Sequence, residues 1–346
     1  MIKKIGPLPL DDSIPAYLIA EIGLCHNGSF EIARKLIYQA FISGATLVKF
    51  QKRNIEKLLN NKSIEKEFIK FPSVGTTQYE VRPKLEFSLS EYKDLFEYSK
   101  SLGLIPFATV FDHSSLDFLL NLNPSFLKIA SHSSSDYSLI NSVIESQLPF
   151  MISTGGLKKF ERDILLRLLP KDRTILMHCV SSYPSSPNEQ FLNTISDFTK
   201  QGFITGFSTH ETGYLASLIS ASLGAKFIER HITLSNASIG FDHGISMEPD
   251  EFKKLALKLR SQNQMMGIKE ELLNAELSAR ENYHCGVFLK KDIKKGDLIT
   301  LNDVSLEQPL GSNEDSITGL GFYSLSDKKS MRDIQKGSQL LRTDFN

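Results

Sequence analysis

Eight short apolar runs alternate with amphipathic segments between about residues 17 and 275, and this rhythm limits the possible folds more than any other feature of the chain. Most of the runs are continuously apolar and rich in β-branched and aromatic residues, which is typical of strands buried on both faces of a parallel sheet. The runs are YLIAEIG (17–23), ATLVKFQ (45–51), LIPFATV (104–110), FLKIAS (126–131), PFMIST (149–154), TILMHC (174–179), FITGFS (203–208) and KFIERHI (226–232).

The segments between the runs carry apolar residues at helical spacing. The clearest one begins with a Ser-x-x-Glu capping signal at Ser88 and Glu91 and stops at Gly103. Because strands that alternate with helices are joined by parallel crossovers, eight such units predict a (β/α)8 barrel. A doubly wound open sheet is the alternative, and the polar residues that end each strand favour the barrel.

A different pattern begins near residue 280, where FLKKDIKKGDLITLNDVSLEQP predicts two short strands around a KKG turn. A weaker copy, KSMRDIQKGSQLLRTDF, follows 41 residues later, so that Asp292 corresponds to Asp333 and Gly296 to Gly337. We therefore predict a barrel domain over residues 1–278 and a compact β-rich domain over residues 279–346, with the boundary in the segment ELSARENYH.

Residues 54–87 interrupt the rhythm and are too long for a simple loop. An insertion after a barrel strand lies on the catalytic face, where such loops often shape the substrate site. A solvated helical excursion explains the same segment equally well.

Composition narrows the class of protein. Lys and Arg together number 40 and so do Asp and Glu, so the net charge is zero and the basic excess of a nucleic-acid binder is absent. No apolar run reaches the roughly 18 residues of a membrane span, and the N-terminal lysines are not followed by the apolar core of a signal peptide. Three cysteines without a CxxC spacing indicate a reduced, cytoplasmic compartment.

Polar residues recur at the predicted carboxyl ends of the strands. In a (β/α)8 barrel these ends converge on one mouth, and that mouth holds the active site. The residues at this place in the rhythm include Glu21, Lys49, Gln51, Thr109, Lys128, Ser131, Ser153, Ser208, His210, Glu229 and His231.

Two of these residues are lysines inside apolar strands. Lys49 and Lys128 are costly to bury unless they are paired, and a purely structural role would pair each with Glu21 or Glu229. Two lysines, two glutamates and several hydroxyls at one end of the barrel instead predict a site for a small, multiply charged anion that carries phosphate and carboxylate groups.

The histidines provide a second signal. His210 and His231 occupy equivalent places on the last two strands, where they could hold a divalent metal, although the spacing alone leaves a structural role open. His178 lies within an apolar strand and is interpreted as a core histidine with its hydrogen bonds satisfied. Asp242, in the FDH loop after the last strand, either overhangs the mouth or forms a turn.

At these positions the chain resembles the bacterial nonulosonic acid synthases, which make sialic, legionaminic or pseudaminic acid. The resemblance covers nearly the whole chain, and its C-terminal part is similar to the SAF, or antifreeze-like, domain that ends these enzymes. The motifs that carry it are IAEIGLCHNGS, LVKFQ, LKIAS, ISTGG, HCVSSYP, GFSTH, FIERHITL and the FDH loop.

The resemblance implies an enzyme, a transferase that condenses phosphoenolpyruvate with an open-chain N-acylated amino sugar and releases phosphate by C–O cleavage, using Mn²⁺ or Mg²⁺. It further implies a homodimer in which the SAF domain covers the partner's active site. Glu21, Lys49, Lys128 and Glu229 match catalytic positions. The implied metal ligands are His210 and His231. Substrate contacts match Gln51, Thr109, Ser131, Ser153, Tyr183, Ser208, Asp242 and Gln308.

Three positions depart from the family pattern. Ser133 stands where the family usually has glutamate, Gln308 where its SAF domain usually has arginine, and Cys25 where its first motif usually has asparagine. Because the phosphoenolpyruvate and metal positions are intact, we hypothesise a retained reaction with an altered sugar.

Three alternatives remain beside this hypothesis. The first is N-acetylneuraminate synthesis from N-acetylmannosamine itself. The second is a catalytically silent paralogue that binds a ligand. The third is an unrelated barrel lyase that forms a Schiff base at Lys128.

Overall fold

The structure is a computed structural model that describes residues 3–60, 74–325 and 329–345. It divides into two compact units, Met1–Met266 and Gly267–Asn346. The boundary predicted at 278/279 lies twelve residues later, inside a helix. Hydrogen bonds explain the earlier division, because Gly311 N–H and the Gln308 side chain donate to the carbonyls of Glu281 and Tyr283 and join this helix to the second unit.

Eight parallel strands close into a barrel in which the last strand pairs with both its predecessor and the first, so the predicted (β/α)8 barrel is confirmed. All eight predicted runs contain a barrel strand. The strands of the chain are β1 (Lys4–Ile5), β2 (Leu8–Pro9), β3 (Tyr17–Gly23), β4 (Leu47–Lys52), β5 (Ile105–Val110), β6 (Leu127–Ile129), β7 (Phe150–Ser153), β8 (Thr174–Cys179), β9 (Ile204–Ser208), β10 (Phe227–His231), β11 (Gly286–Leu289) and β12 (Val304–Glu307).

Helices follow the barrel strands and pack their apolar faces against the outside of the sheet. The capping box predicted at Ser88 and Glu91 is present and begins one of them. The helices are α1 (Phe30–Ile42), α2 (Ile55–Leu58), α3 (Gln78–Val81), α4 (Leu89–Ser101), α5 (His113–Leu120), α6 (Tyr137–Glu145), α7 (Lys159–Leu168), α8 (Asn193–Lys200), α9 (Leu215–Ser222), α10 (Pro249–Gln264), α11 (Asn274–Tyr283) and α12 (Gly319–Tyr323). Within the described residues, no helix has the length and apolarity needed to span a membrane.

The interior of the barrel is apolar at the amino ends of its strands and polar at their carboxyl ends. At the amino ends of the strands an apolar plug fills the interior, with side chains such as Ile19, Leu47, Phe107 and Phe227. The short hairpin of β1 and β2 closes this end, with Ile5 and Leu8 packed against the plug. Because side chains two apart along a strand share a face, the next interior position on each strand lies directly above the plug.

The insertion predicted to shape the site contains α2 and α3. Residues 61–73 of the segment 54–87 lie outside the described residues. The segment 82–85 is a short 3₁₀ helix that brings Arg82 to the mouth of the barrel. The described part of the insertion therefore contributes to the cavity, in agreement with the first of the two interpretations.

The second unit contains the two sequence copies as facing turns. Strands β11 and β12 pair antiparallel, and a separate bridge joins Ile293 of the first copy to Ile334 of the second. Both glycines of the repeat, Gly296 and Gly337, have positive φ values of 90° and 80°, which a turn of this type requires. The assignment of this unit as a SAF domain stays a prediction.

Each copy closes the turn of the other. Asp292 Oδ1 accepts a hydrogen bond from Lys336 N–H at 2.7 Å, and Asp333 Oδ1 accepts one from Lys295 N–H at 2.8 Å. These contacts are equivalent under the 41-residue repeat. The two hairpins therefore form a single reciprocal structure around a shared apolar core.

Candidate active site

The candidate site lies directly above the apolar plug, at the carboxyl ends of the strands. On strand after strand a step of two residues changes the interior side chain from apolar to polar, as from Leu47 to Lys49 or from Phe227 to Glu229. A cavity of about 310 Å³ opens here. Of the fourteen residues predicted for the site, thirteen line it: Glu21, Lys49, Gln51, Thr109, Lys128, Ser131, Ser153, Tyr183, Ser208, His210, Glu229, His231 and Asp242.

Four charged side chains form one continuous group, which we call the mouth network: Glu21, Lys49, Lys128 and Glu229. Lys49 Nζ lies 2.7 Å from Glu21 Oε2 and 3.5 Å from Glu229 Oε1. Lys128 Nζ donates to both oxygens of Glu229, at 2.9 and 2.8 Å. All four side chains are almost fully buried. The pairing expected of purely structural lysines is therefore present, but at the edge of a cavity.

Pairing decides the protonation states of the network. Burial alone raises the pKa of Glu229, but Lys128 and Lys49 overcome it and hold the pKa near about 2. Burial likewise lowers the pKa of Lys49, yet Glu21 and Glu229 together raise it above its usual value. Burial lowers the pKa of Lys128, and the nearby charge of Lys49 adds to this, while Glu229 opposes both. Glu229 is thus a carboxylate clamped between two amines.

Hydroxyl groups line the wall beside the network. Thr109 accepts a hydrogen bond from Lys49 at 2.9 Å, and Ser208 donates to Glu229 at 3.1 Å. Ser131 Oγ and Ser153 Oγ are buried and have no hydrogen-bond partner among the described residues. Unpartnered buried hydroxyls are unfavourable unless a ligand or water completes them.

A glycine keeps this wall open. A Cβ atom on Gly155 would come within 2.6 Å of Ser181 Oγ and 2.7 Å of Ser131 Oγ. The two hydroxyls therefore converge on a place where only glycine leaves room. Converging hydroxyls beside two lysines suit the oxygens of a phosphate group.

The two predicted metal ligands meet at the mouth. The rings of His210 and His231 lie 5.3 Å apart, and the Nδ1 atom of each is buried without a hydrogen-bond partner within the described part of the chain. Burial, followed by the neighbouring His231, lowers the pKa of His210 to about 2, so this ring is neutral and its nitrogen can act as a ligand.

These two imidazoles fit a divalent cation, because each has a ring nitrogen without a hydrogen-bond partner among the described residues, and imidazole nitrogens are common ligands of such ions. Across the described residues, no group of three or more His, Cys, Asp or Glu side chains is arranged to hold a metal ion.

Loop residues form the outer edge of the cavity, which we call the rim. The ring of Tyr183 lies 3.8 Å from that of His210, and Asp242 Oδ2 lies 3.9 Å from His231 Nδ1. Asp242 adopts a left-handed conformation with φ of 64° and lines the cavity, which corresponds to the first of the two roles considered for it. Gln51 donates to Glu21 at 2.6 Å and so connects the rim to the mouth network.

Three other polar residues singled out in the sequence analysis are not part of the cavity lining. Gln308 belongs to the second unit, where its side chain donates to Tyr283 O. Ser133 is buried, and its hydroxyl donates to the Phe111 carbonyl at 3.4 Å. His178 is satisfied by the carbonyl of Gln190 at 2.6 Å, as interpreted from the sequence.

Sequence reasoning missed two arginines that line the cavity, Arg53 and Arg82. Arg53 follows Gln51 by two residues, so the alternation that identified Lys49 and Gln51 also pointed to it. Arg82 comes from the insertion and had no comparable signal. His132 and Cys179 also line the cavity without having been predicted.

Comparison with known proteins gives consistent matches. The profile described as the NeuB family matches residues 36–271. N-acetylneuraminate-9-phosphate synthase of Mus musculus is 31% identical over 336 residues, covering 94% of this chain and 92% of the mouse protein. N,N'-diacetyllegionaminic acid synthase of Legionella pneumophila is 33% identical and covers 89% of each chain.

Solved structures are also similar to this chain. The N-acetylneuraminic acid synthetase of Leptospira borgpetersenii, in complex with citrate, superimposes with a TM-score of 0.68 at 30% identity and covers 77% of this chain and 90% of its own. A putative spore coat polysaccharide biosynthesis protein E from Chromobacterium violaceum gives a TM-score of 0.81 at 22% identity, with 96% and 99% coverage, and supports the fold alone.

Proposed function

The chain belongs to the NeuB family of nonulosonic acid synthases, and from this membership we propose that it condenses phosphoenolpyruvate with an open-chain N-acylated amino sugar to give a sialic-acid-like acid and phosphate. The observation that carries the proposal is the mouth network, whose two lysines lie beside hydroxyls without a hydrogen-bond partner in the described part of the chain. This arrangement suits an anion that has both a carboxylate and a phosphate.

Phosphoenolpyruvate binds, in this proposal, against Lys49 and Lys128. Its oxygens take the hydrogen bonds that Ser131 and Ser153 do not make within the described chain. The ammonium groups are already held in place by Glu21 and Glu229, so little reorganisation is needed when the anion arrives. The site thereby fixes the methylene carbon of phosphoenolpyruvate in line with the sugar aldehyde.

The reaction forms one carbon–carbon bond, and at C2 it replaces the carbon–oxygen bond to phosphate with a carbon–oxygen bond from water. The methylene carbon attacks the aldehyde carbon, positive charge develops at C2 of phosphoenolpyruvate, and water adds there. The resulting tetrahedral centre expels phosphate and becomes the ketone. We assign the proton of the attacking water to Glu21, because both oxygens of Glu229 already accept hydrogen bonds from Lys128, which holds the pKa of Glu229 below its usual range.

His210 and His231 would hold Mn²⁺ or Mg²⁺, which as a Lewis acid polarises the aldehyde oxygen. Gln51, Tyr183 and Asp242 lie on the rim, where they would bind the sugar hydroxyls. We extend the proposal to a homodimer whose SAF-like second unit, including Gln308, covers the partner's site. The similarity of that unit to SAF domains in sequence supports this extension.

Phosphate release is the direct test. Purified protein with Mn²⁺ and phosphoenolpyruvate is offered a panel of N-acylated hexosamines, and the expected result is release that depends on the sugar and on both lysines. Absence of release with every sugar, from folded protein that still binds Mn²⁺, would instead identify a catalytically silent paralogue.

N-acetylneuraminate synthesis proper is the second candidate, since relatives at 30–31% identity carry names of N-acetylneuraminate or its 9-phosphate. The serine at 133 and the glutamine at 308 weigh against it, because the family resemblance implies that both positions face the sugar. A clear preference for N-acetylmannosamine within the panel would decide in favour of this candidate.

A further inference from the structure

We propose that Cys25 and Asn27 are positioning residues that hold the loop after β10 over the mouth and thereby place Asp242 against the acceptor sugar. We call these two the anchor residues. The inference rests on the proposed function, in which Asp242 binds sugar hydroxyls, and it specifies what fixes that contact. Both anchor residues follow β3, which pairs with β10 in the barrel.

The loop that carries Asp242 leaves and rejoins the barrel at one place. Ile232 and Met247 form a parallel bridge, and Met247 N–H donates to the carbonyl of His231 at 2.9 Å. These contacts fix the two ends of the loop. The position of Asp242 between those ends depends on further contacts along the loop.

Asn27 contacts the loop on both sides of Asp242. Its Nδ2 donates to the carbonyl of Ile239 at 2.9 Å, and its Oδ1 lies 3.4 Å from Nε2 of His243. Because an amide oxygen can only accept, the His243 ring donates from Nε2. A Cβ atom on Gly240 would come within 2.3 Å of Asn27 Oδ1, so the close approach of the two segments requires glycine there. The single amide of Asn27 therefore fixes the chain before and after Asp242.

Cys25 makes a second set of contacts with the loop. Its Sγ lies 3.7 Å from the carbonyl oxygen of Phe241 and 3.4 Å from Ser246 Oγ, which in turn donates to the carbonyl of Asp242 at 2.7 Å. Burial raises the pKa of the Cys25 thiol to about 12, so it keeps its proton and can donate. The two peptide groups on either side of the Asp242 Cα are thus held, one by Cys25 and the other through Ser246.

The conformation of Asp242 depends on such support. Its φ of 64° lies in the left-handed region, which a non-glycine residue keeps only where the surrounding contacts favour it. Its carboxylate lines the cavity, 3.9 Å from Nδ1 of His231. When the anchor contacts are lost, the loop can relax and carry the carboxylate away from the sugar. The mouth network shares no hydrogen bond with the anchor residues in the described part of the chain, so the phosphoenolpyruvate site should stay intact.

Asn27→Gly is the variant to test. Asn27 has a φ of 51°, so glycine removes the amide without straining the backbone. The acceptor is the N-acylated hexosamine of the panel that gives the fastest phosphate release. We expect kcat/KM for this acceptor to fall roughly 10- to 100-fold, because a displacement of about 1 Å can have an effect of that size. The KM for phosphoenolpyruvate should change little.

Asn123→Gly is the matched control, because Asn123 also has a positive φ, of 47°, is exposed and lies outside the cavity lining. Equal losses in the two variants, or a loss in Asn27→Gly that falls equally on both substrates, would overturn the proposal. Cys25→Ala should lower kcat/KM for the acceptor by less, and Cys25→Ser, which keeps a donor, should recover part of that loss. Equal losses in the alanine and serine variants would remove Cys25 from the anchor.

A double-mutant cycle shows whether the anchor acts through Asp242. Asp242→Gly removes the carboxylate at a left-handed position that suits glycine, and it should lower kcat/KM for the same acceptor. Adding Asn27→Gly to this variant should then cause little further loss, since both changes affect one contact. Losses that multiply independently would show that Asn27 acts by another route, and would contradict the proposal.

Hydrogen exchange separates this inference from the proposed function, because it requires no turnover. In Asn27→Gly, the backbone amides of residues 239–247 should exchange several-fold faster, whereas those of β5 should not change. Faster exchange confined to the loop supports the anchor even if no acceptor releases phosphate. Unchanged exchange in the loop contradicts the anchor even if phosphate release shows that the synthase reaction takes place.

Discussion

Two buried ionic groups lie one residue apart on the last barrel strand, and they serve different purposes. Glu229 points into the barrel and belongs to the mouth network, whereas Arg230 points outward to the helices, because successive side chains alternate across a strand. Arg230 pairs with Glu211 at 3.1 Å, and we call these two residues the wall pair.

The wall pair makes most of its hydrogen bonds with nearby groups of the wall, and Arg230 Nε alone of its polar atoms has no partner among the described residues. Arg230 also donates to the carbonyls of Gly213 and Glu211, and Glu211 accepts from the backbone N–H groups of Ala216 and Ser217 at the start of α9. The pair lines neither the site cavity nor the one beside it. Burial and ion pairing are therefore common to both groups, and of the two, the mouth network is the one that borders a cavity whose hydroxyls have no partner among the described residues.

The largest effect on activity is expected when a positive charge is removed from the mouth network. Lys128→Met should lower kcat/KM for phosphate release by roughly 10³-fold or more, because the charge that would hold the anion is removed from a desolvated site. Lys93→Met, an exposed lysine on α4, is the control. Activity of the Lys128 variant within tenfold of the wild type would show that the network is structural like the wall pair.

Replacing Arg230 of the wall pair should instead lower the stability of the protein and leave substrate binding unchanged. Arg230→Met leaves Glu211 buried without its counter-ion and should reduce the free energy of unfolding by about 3 kcal/mol or more. Urea denaturation measures this loss. The KM for phosphoenolpyruvate should stay near the wild-type value in protein that remains folded.

A surface ion pair supplies the comparison for that measurement. Lys226 pairs with the largely exposed Asp12 at 2.7 Å, and Lys226→Met should cost less than about 1 kcal/mol. If both variants lose similar stability, burial does not distinguish the wall pair.

The histidines allow a smaller, independent test of the mouth. His210→Asn should weaken Mn²⁺ binding about 10- to 100-fold, as loss of a metal-site residue usually does. Competition with a chelating dye measures the affinity without any need for turnover. Unchanged Mn²⁺ affinity in this variant would remove His210 from the metal site.

Cys179 provides a negative control for the mouth network, because it lines the same cavity but carries no proposed role. Burial raises the pKa of its thiol, so it is protonated and unreactive at neutral pH. Cys179→Ala should change kcat/KM by less than about fivefold, as expected where only packing is altered. A loss comparable to that of Lys128→Met would give this thiol a part in the reaction.

Local patterns predicted the barrel and most of the site because both depend on periodicity. A two-residue step along a strand carries a side chain from the plug to the mouth, so Lys49, Thr109 and Glu229 could be identified without coordinates. Arg53 follows the same rule and was missed only because the pattern was not extended past Gln51.

The remaining features depend on contacts between distant segments. Arg82 reaches the cavity from an insertion whose path no periodicity describes. The wall pair joins residues 211 and 230 across the sheet–helix interface, and the sequence gives no sign that Arg230 faces Glu211. Residues 267–278 group with the second unit because hydrogen bonds from residues 308 and 311 tie α11 to it, and contacts between such distant residues have no signal in the sequence.

The reciprocal aspartate contacts of the second unit make its two sequence copies depend on each other. Asp292 closes the turn that contains Lys336, and Asp333 closes the turn that contains Lys295, so each duplicate supplies a contact that the other uses. A deletion that removes the last hairpin would for that reason also leave the turn at Lys295 without its aspartate partner.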